Sequence, residues 1–139
     1  MRKKILVVDD DADVVELLSF NLKQAGYAIG SASNGVEAIT KARSFHPDLI
    51  VLDVMMPELD GFGVCELLRR APGTATIPIL MLTAISSELG RMAALGSGAT
   101  DFITKPFSPR QLVSRIEDLL KNTGLLGTLP SGNPGVTSS

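Results

Sequence analysis

The sequence predicts an α/β protein with a doubly wound, five-stranded parallel sheet. Three short runs, at 5–8, 49–52 and 79–82, are apolar without interruption, as in strands that are covered on both faces. Segments with helical periodicity separate these runs, which gives five successive βα units. At 139 residues, with 45% hydrophobic and 20% charged residues, the chain fits one domain of ordinary composition.

The remaining elements follow from weaker patterns taken in chain order. Strand candidates lie at 28–33 and 101–104, and the segment 86–98 is the weakest helix because three glycines interrupt it. The fourth strong helix begins at Pro109 after the cap residue Ser108. The four strong helices are predicted by apolar stripes at Val14, Leu17, Leu18, Leu22 and Ala25; Val36, Ile39 and Ala42; Val64, Leu67, Leu68 and Ala71; and Leu112, Val113, Ile116, Leu119 and Leu120.

The last part of the chain has a different composition. Residues 122–139 are rich in Gly, Pro, Ser and Thr and show no periodicity. Such a segment buries too little apolar surface to fold, and it predicts a flexible tail or linker. The folded domain is therefore expected at 1–121.

Charge and cysteine content exclude several classes of function. The net charge of −2 gives no reason to expect nucleic acid or anionic lipid as a direct partner. The single cysteine, Cys65, cannot form an internal disulfide. The apolar run after the basic start covers only 5–8, shorter than a signal-peptide core, and no run approaches the roughly 18 residues that span a bilayer. The sequence favours a soluble, cytoplasmic protein.

Five polar residues follow the predicted strands: Asp9, Asp10, Asp53, Thr83 and Lys105. Ligands of open α/β sheets bind beyond the carboxyl ends of parallel strands, so we expect these side chains to meet at one edge, with Asp53 exposed there. Carboxylates repel one another unless a cation lies between them, and Mg²⁺ prefers oxygen ligands. The set predicts a phosphoryl-transfer site with Asp53 as the acceptor.

The motifs around these residues resemble the receiver domain of bacterial two-component response regulators. They are VVDDD at 7–11, DLIVLDVMMPELDGF at 48–62, PILMLTA at 78–84 and GATDFITKPF at 98–107. The resemblance implies a flavodoxin-like (βα)5 fold with strand order 2-1-3-4-5. It implies a phospho-accepting signalling switch, a member of a phosphorelay, that is not a turnover enzyme.

The resemblance also implies roles for individual residues. Asp53 forms the aspartyl phosphate, Lys105 pairs with a phosphoryl oxygen and Thr83 donates a hydrogen bond to another. The Mg²⁺ ligands are Asp10, Asp53 and the backbone carbonyl of Met55, with Asp9 acting through metal-bound water. The switch residues are Thr83 and Phe102, and Pro106 follows a cis peptide bond.

The implied partners are a sensor histidine kinase, or a phosphotransfer protein, and an output partner. The face formed by 86–121 is expected to change on phosphorylation and to contact that partner or a second copy of the chain. Arg91, Asp101 and Arg115 resemble parts of a ring of charged pairs that joins such dimers. Gln111 stands where an acid is common in that ring, which weakens this prediction.

Simpler roles and two rival functions stay open. Asp10 or Asp11 could cap the first helix, and Thr83 could cap a later one. Asp11 and Asp13 are expected as first-turn residues, and the side chains of Met55 and Met56 as packing residues. The rival functions are a receiver that binds partners without phosphorylation and a small aspartate-nucleophile phosphatase, which Met55 disfavours because such enzymes carry an acid there. No phosphate-binding P-loop motif is present.

Overall fold

The computed structural model describes residues 2–84 and 88–126. Strands and helices alternate throughout this part of the chain, and α5 continues five residues beyond the predicted helix end at Lys121. The elements are β1 Lys4–Val8, α1 Ala12–Gln24, β2 Ala28–Ala32, α2 Gly35–Phe45, β3 Leu49–Asp53, α3 Gly61–Arg70, β4 Ile79–Thr83, α4 Glu88–Gly96, β5 Asp101–Thr104 and α5 Pro109–Leu126.

The five strands form one parallel sheet in the order β2-β1-β3-β4-β5. The predicted fold class and strand order are confirmed. The chain leaves β1 towards one edge of the sheet and returns to continue from β3 towards the other edge. This reversal opens a crevice at the carboxyl ends of β1 and β3, where ligands of such sheets bind.

Side chains of each strand alternate between two apolar cores. In β1, Ile5 and Val7 pack under α1 and α5, whereas Leu6 and Val8 pack under α2, α3 and α4. Because helices cover both faces, every position of β3 and β4 and the last four positions of β1 are buried, and the sequence shows uninterrupted apolar runs instead of alternation. The two cores hold the sheet rigid beneath its carboxyl edge.

Side-chain caps fix where several helices begin. Asp11 accepts a hydrogen bond from the backbone N–H of Asp13 at 2.9 Å, and Asn34 accepts one from Glu37 at 2.8 Å. Asp60 caps α3 in the same way. These helix starts lie beside the carboxyl ends of the strands, so unpaired N–H groups and the positive end of each helix dipole face that edge.

The predicted apolar stripes of the helices include positions that are not buried. Leu17, Val36 and Leu67 were assigned to buried faces but are 51%, 69% and 43% exposed. A helix that packs on a flat sheet buries a narrow line of residues, so neighbouring apolar positions stay in solvent.

Most of the predicted tail, 127–139, and the start of the weak helix, 86–87, lie outside the described residues. Within the described ranges, we find no helix with the length and apolar character that a bilayer crossing requires.

On each outer strand of the sheet, a basic side chain donates a hydrogen bond to a backbone carbonyl. Lys41 Nζ lies 2.8 Å from the carbonyl oxygen of Ser31 on β2. Arg115 Nη1 lies 3.1 Å from the carbonyl oxygen of Phe102 on β5. Both contacts satisfy polar groups that an edge strand would otherwise present to other chains.

The start of α3 packs directly on the backbone that carries the predicted acceptor. Gly61 donates a hydrogen bond from its N–H to the Val54 carbonyl at 3.0 Å. A Cβ atom at Gly61 would lie 2.4 Å from the Asp53 carbonyl oxygen and 2.8 Å from the Val54 Cα. Only glycine fits without moving the end of β3.

We expect Gly61→Ala to lower the free energy of unfolding by about 1 to 3 kcal/mol, because the new methyl group overlaps backbone atoms that cannot move away cheaply. Urea unfolding measures the change. Gly73→Ala is the matched control, since nothing lies within 4 Å of a Cβ at Gly73. Equal stabilities for the two variants would contradict the close contact.

Candidate functional site

The carboxyl ends of β1, β3, β4 and β5 bring the predicted polar residues to one edge. Asp9 follows β1 directly, Asp53 is the last residue of β3, and Thr83 is the last residue of β4. Lys105 follows β5, and its N–H donates to the Thr83 carbonyl at 2.7 Å. Strand register aligns these ends, because Val8 pairs with Leu52 and Asp53 pairs with Leu82.

Lys105 and Asp53 form an ion pair across the edge. Lys105 Nζ lies 2.8 Å from Asp53 Oδ1, and the side chains are 34% and 3% exposed. Burial lowers the pKa of Lys105, but the hydrogen bond and the charge of Asp53, with smaller contributions from Asp9 and Asp10, raise that pKa above its ordinary value. The ammonium therefore stays protonated. The Lys105–Pro106 peptide bond is cis, the isomer that the resemblance implies.

Three carboxylates share the space beside this ion pair. One oxygen each of Asp9, Asp10 and Asp53 can be chosen so that all lie within 4.8 Å of one another. Asp9 and Asp53 are each 2% exposed, whereas Asp10 is exposed. A single ammonium does not neutralise three negative charges, so the arrangement favours a further cation.

Asp9 carries the clearest sign of an unmet interaction. Its Oδ1 accepts a hydrogen bond from the Asp11 N–H at 2.9 Å, but its buried Oδ2 has no hydrogen-bond partner among the described residues. Burial raises the pKa of Asp9 to about 6; the Asp11 N–H opposes this rise, and the charge of Asp53 adds to it. An unsatisfied buried oxygen, in a set made only of oxygen donors, fits a hard divalent cation such as Mg²⁺.

Other predicted residues lie around the same edge with differing burial. Thr83 is 1% exposed, and Phe102 is partly buried against the core on the α2, α3 and α4 face. Asp53 was expected to be exposed and is not, because it belongs to the buried strand β3 and its side chain pairs with Lys105. Met56 packs in the core as predicted, but Met55 was wrongly expected to pack, since its side chain is 65% exposed.

The acids of the first loop divide into two roles. Asp11 is the cap of α1 and Asp13 lies in its first turn, as predicted. Asp10 is not the cap residue and stands with Asp9 and Asp53 instead. Whether Thr83 caps a helix involves 85–87, which lie outside the described residues.

Sequence reasoning missed the contribution of Gly61 to the site. In the sequence, the Asp60-Gly61 pair indicates turn and cap chemistry, and Asp60 does cap α3. Gly61 also lets α3 approach the backbone of Asp53 and so fixes the end of β3. A glycine at the first helical position, where most residues form helices better, was the available signal.

The strand order and the acid–lysine edge define a flavodoxin-like α/β protein with an acidic site at the switch of strand order. A comparison with protein-family models identifies the family: the response regulator receiver domain model matches residues 5–117. The chain therefore belongs to the response regulator receiver domain family.

Individual relatives are consistent with this assignment. The chain is 50% identical over 123 residues to the alkaline phosphatase synthesis transcriptional regulatory protein PhoP of Bacillus subtilis, covering 88% of this chain and 50% of that protein. It is 43% identical over 120 residues to the transcriptional regulator RpaA of Synechocystis, covering 86% and 50%. A solved response regulator structure from Chloroflexus aurantiacus has a TM-score of 0.82 at 39% identity, covering 87% of this chain and 99% of that one. The chain thus spans about half the length of the curated relatives it matches.

We expect Asp9→Asn to stabilise the protein in a buffer that contains EDTA. A folded-state pKa of about 6, above the ordinary 3.8, means that the folded chain binds the proton more tightly than the unfolded chain. The resulting destabilisation is absent below about pH 4, grows between pH 4 and 6, and reaches about 3 kcal/mol above pH 6. The gain from Asp9→Asn, measured by urea unfolding, should follow the same profile.

Asp11→Asn is the matched control for this measurement. Asn caps a helix as well as Asp does, and Asp11 is exposed. Its unfolding free energy should change by less than about 0.5 kcal/mol at every pH. A gain from Asp9→Asn that does not vary between pH 4 and 7 would contradict the burial of an unsatisfied carboxylate.

Proposed function

We propose that this chain is a cytoplasmic, phospho-accepting switch of a two-component system, in which Asp53 receives a phosphoryl group from a partner histidine kinase or phosphotransfer protein. The observation that carries the proposal is the 2.8 Å contact between Lys105 Nζ and Asp53 Oδ1 beside the carboxylates of Asp9 and Asp10. In this proposal the Asp53 oxygen is the nucleophile, the Lys105 ammonium is the fixed positive charge, and the three carboxylates form the cation-binding set.

The transfer follows from these groups. A carboxylate oxygen of Asp53 attacks the phosphorus of a phosphohistidine, the phosphorus–nitrogen bond breaks, and its electron pair returns to the donor imidazole. The Lys105 ammonium stabilises negative charge on the phosphoryl oxygens during the transfer. The Thr83 hydroxyl donates a hydrogen bond to one of these oxygens in the product. Burial of Asp53 limits access of water to the resulting acyl phosphate.

Mg²⁺ fits this site on the chemistry of its donors. Asp10, Asp53 and the backbone carbonyl of Met55 would hold the ion, and the free oxygen of Asp9 would accept from a metal-bound water. When bound, the ion neutralises the acids and the charge that builds up on the phosphoryl oxygens. Without it, a dianionic phosphoryl group would approach two further carboxylates with only Lys105 to offset them.

Phosphorylation then biases two conformations of the domain. Thr83 moves towards the phosphoryl group, and the Phe102 ring rotates into the space that opens beside it. Phe102 is partly buried and lies on β5, which contacts α4, so its movement changes the surface formed by 86–121. That surface is the region that an output partner reads.

The output is proposed from the relatives rather than from this chain. PhoP and RpaA are named as transcriptional regulators, and the chain spans about half of each. We infer that the 86–121 face acts on an output domain, an output partner or a second copy. Two arginines expected to link copies are already paired in this chain, since Arg91 contacts Glu88 and Arg115 Nη1 lies 2.8 Å from Asp101 Oδ2. A second copy must compete with these internal pairs.

Intact mass spectrometry after incubation with acetyl phosphate and MgCl₂ tests the proposal. We expect the wild-type chain to gain the mass of one phosphoryl group, and we expect no gain for Asp53→Asn or when EDTA replaces MgCl₂. The added group should be lost in mild base, since an acyl phosphate hydrolyses easily. A phosphorylated Asp53→Asn variant would contradict Asp53 as the acceptor.

Asp60→Asn is the matched control, because Asp60 lies in the same connection and Asn preserves its capping hydrogen bond. It should be phosphorylated like the wild type. An unmodified wild-type chain would instead favour a receiver that binds partners without phosphorylation. Release of many equivalents of phosphate from several donors would favour a phosphatase.

We expect Lys105→Gln to slow phosphorylation by acetyl phosphate about 100-fold, because it removes the charge that stabilises the transferring oxygens. Initial rates from time-resolved intact mass measure the effect. Lys23→Gln, in the last turn of α1, should leave the rate unchanged. A rate within about threefold of wild type for Lys105→Gln would contradict an electrostatic role for this ammonium.

A further inference from the structure

Arg69, near the end of α3, joins three segments through its guanidinium group. Its Nε donates to the Gly98 carbonyl at 2.8 Å, and its Nη1 donates to the carbonyls of Ala75 at 3.1 Å and Ile77 at 2.6 Å. Its Nη2 lies 3.4 Å from Thr100 Oγ1. We call this set of contacts the Arg69 clamp. It fixes the connection between α4 and β5 to α3 and to the segment before β4.

The sequence around the clamp is built to receive the arginine. Gly98 has a positive φ of 104°, and a Cβ there would lie 2.8 Å from the Arg69 Cγ. Thr100 Oγ1 also accepts from the Ile79 N–H at 3.0 Å, which ties the clamp to the start of β4. At the same end of α4, the Ser97 Oγ donates to the Ala94 carbonyl at 2.7 Å. The connection from α4 to β5 is therefore held to α3 by the Arg69 guanidinium, at Gly98 and at Thr100.

The two ends of α3 connect the acceptor to this clamp. Its first residue, Gly61, packs on the backbone of Asp53, and Arg69 lies more than two turns further along the same helix. Val64 and Leu68 bury α3 against the sheet between these points. Thus α3 forms a rigid link between the end of β3 and the carboxyl end of α4.

Along α4 itself, burial is uneven. Gly90 and Ala94 face the core, whereas the exposure of the outward apolar side chains falls towards the clamp, from 77% at Leu89 to 57% at Met92 and 40% at Leu95. The N–H of Ala99 donates to the Ala94 carbonyl at 3.3 Å, which closes the helix end against the clamp. The first turns of α4 lie near Thr83 in sequence, and their outward side chains are the most exposed of the helix, whereas the clamp contacts lie at its other end.

We propose that the Arg69 clamp holds the carboxyl end of α4 in place, so that phosphorylation of Asp53 moves the first turns of α4 about a pivot at 97–100. Arg69 is a positioning residue in this inference, which rests on the proposed function. With the clamp intact, the response is confined to the amino-terminal part of the helix. Without it, the whole helix and the connection to β5 respond together.

Amide hydrogen exchange of the full chain, read residue by residue by NMR, tests the clamp before and after acetyl phosphate with MgCl₂. In unphosphorylated Arg69→Met we expect exchange of the Gly98, Ala99 and Thr100 amides to rise about tenfold or more, because the charged hydrogen bonds that order this connection are lost. Arg70→Met is the matched control, since Arg70 is the exposed neighbour on α3. It should leave these rates unchanged.

Exchange rates after phosphorylation distinguish an Arg69 that forms a pivot from an Arg69 that only stabilises the fold. In the wild type, exchange should change at 88–92 and stay constant at 94–100, whereas in Arg69→Met it should change over the whole range. Equal changes over 88–100 in the wild type, or an Arg69→Met protein that behaves like Arg70→Met, would overturn the inference.

Two further measurements cover an unfolded variant and an unphosphorylated chain. Should Arg69→Met fail to fold, Arg69→Lys, which keeps the charge but lacks the planar fork, should raise exchange at 98–100 in the same direction. Unchanged exchange at 98–100 in Arg69→Lys would count against the clamp. Intact mass of each sample shows separately whether Asp53 is phosphorylated. A chain that never gains a phosphoryl group would refute the proposed function and the pivot that depends on it, while the resting exchange rates still decide whether Arg69 holds 97–100.

Discussion

The concentration of three carboxylates, those of Asp9, Asp10 and Asp53, beside the single ammonium of Lys105 is the constraint that the rest of the structure has to meet. At separations near 4 Å, two like charges at an effective dielectric near 20 repel by about 4 kcal/mol, so three carboxylates cannot gather without a rigid support. The sheet and its two apolar cores supply that support, because Asp9 follows β1 and Asp53 ends β3, two strands whose apolar side chains are fully buried. Packing energy spread over the whole domain thus maintains a local concentration of charge.

Much of this arrangement could be read from the sequence because its causes are local. Uninterrupted apolar runs predicted the strands, and the polar residues that follow them predicted a shared edge, since strand ends of a parallel sheet must meet there. Burial of individual positions could not be predicted as well. Leu17 and Val36 look apolar in the sequence but lie in solvent, because only the sheet decides which line of a helix is covered. The exposure of Met55 depends on a connection whose course the sequence does not specify.

The contacts that link distant segments were also invisible in the sequence. Arg69 occurs in an ordinary pair of arginines at a helix end, where a favourable interaction with the helix dipole is sufficient explanation. Its role depends on carbonyls of Gly98 and Ile77 that lie far away along the chain. The same holds for Gly61, because glycine is required there only by the close approach of the Asp53 backbone. The spacing of residues along the chain predicted the polar groups at the strand ends. The contacts of Arg69 and Gly61 join segments that are distant in sequence, and only the structure shows them.

The contacts of Lys41 and Arg115 at the outer strands have a consequence for self-assembly. A sheet with open edges can be extended by another chain, which is the route to amyloid-like aggregates. Here each outer strand already has a carbonyl occupied by a basic side chain of the same molecule. A second molecule would have to displace that side chain before any strand-to-strand pairing at the same site.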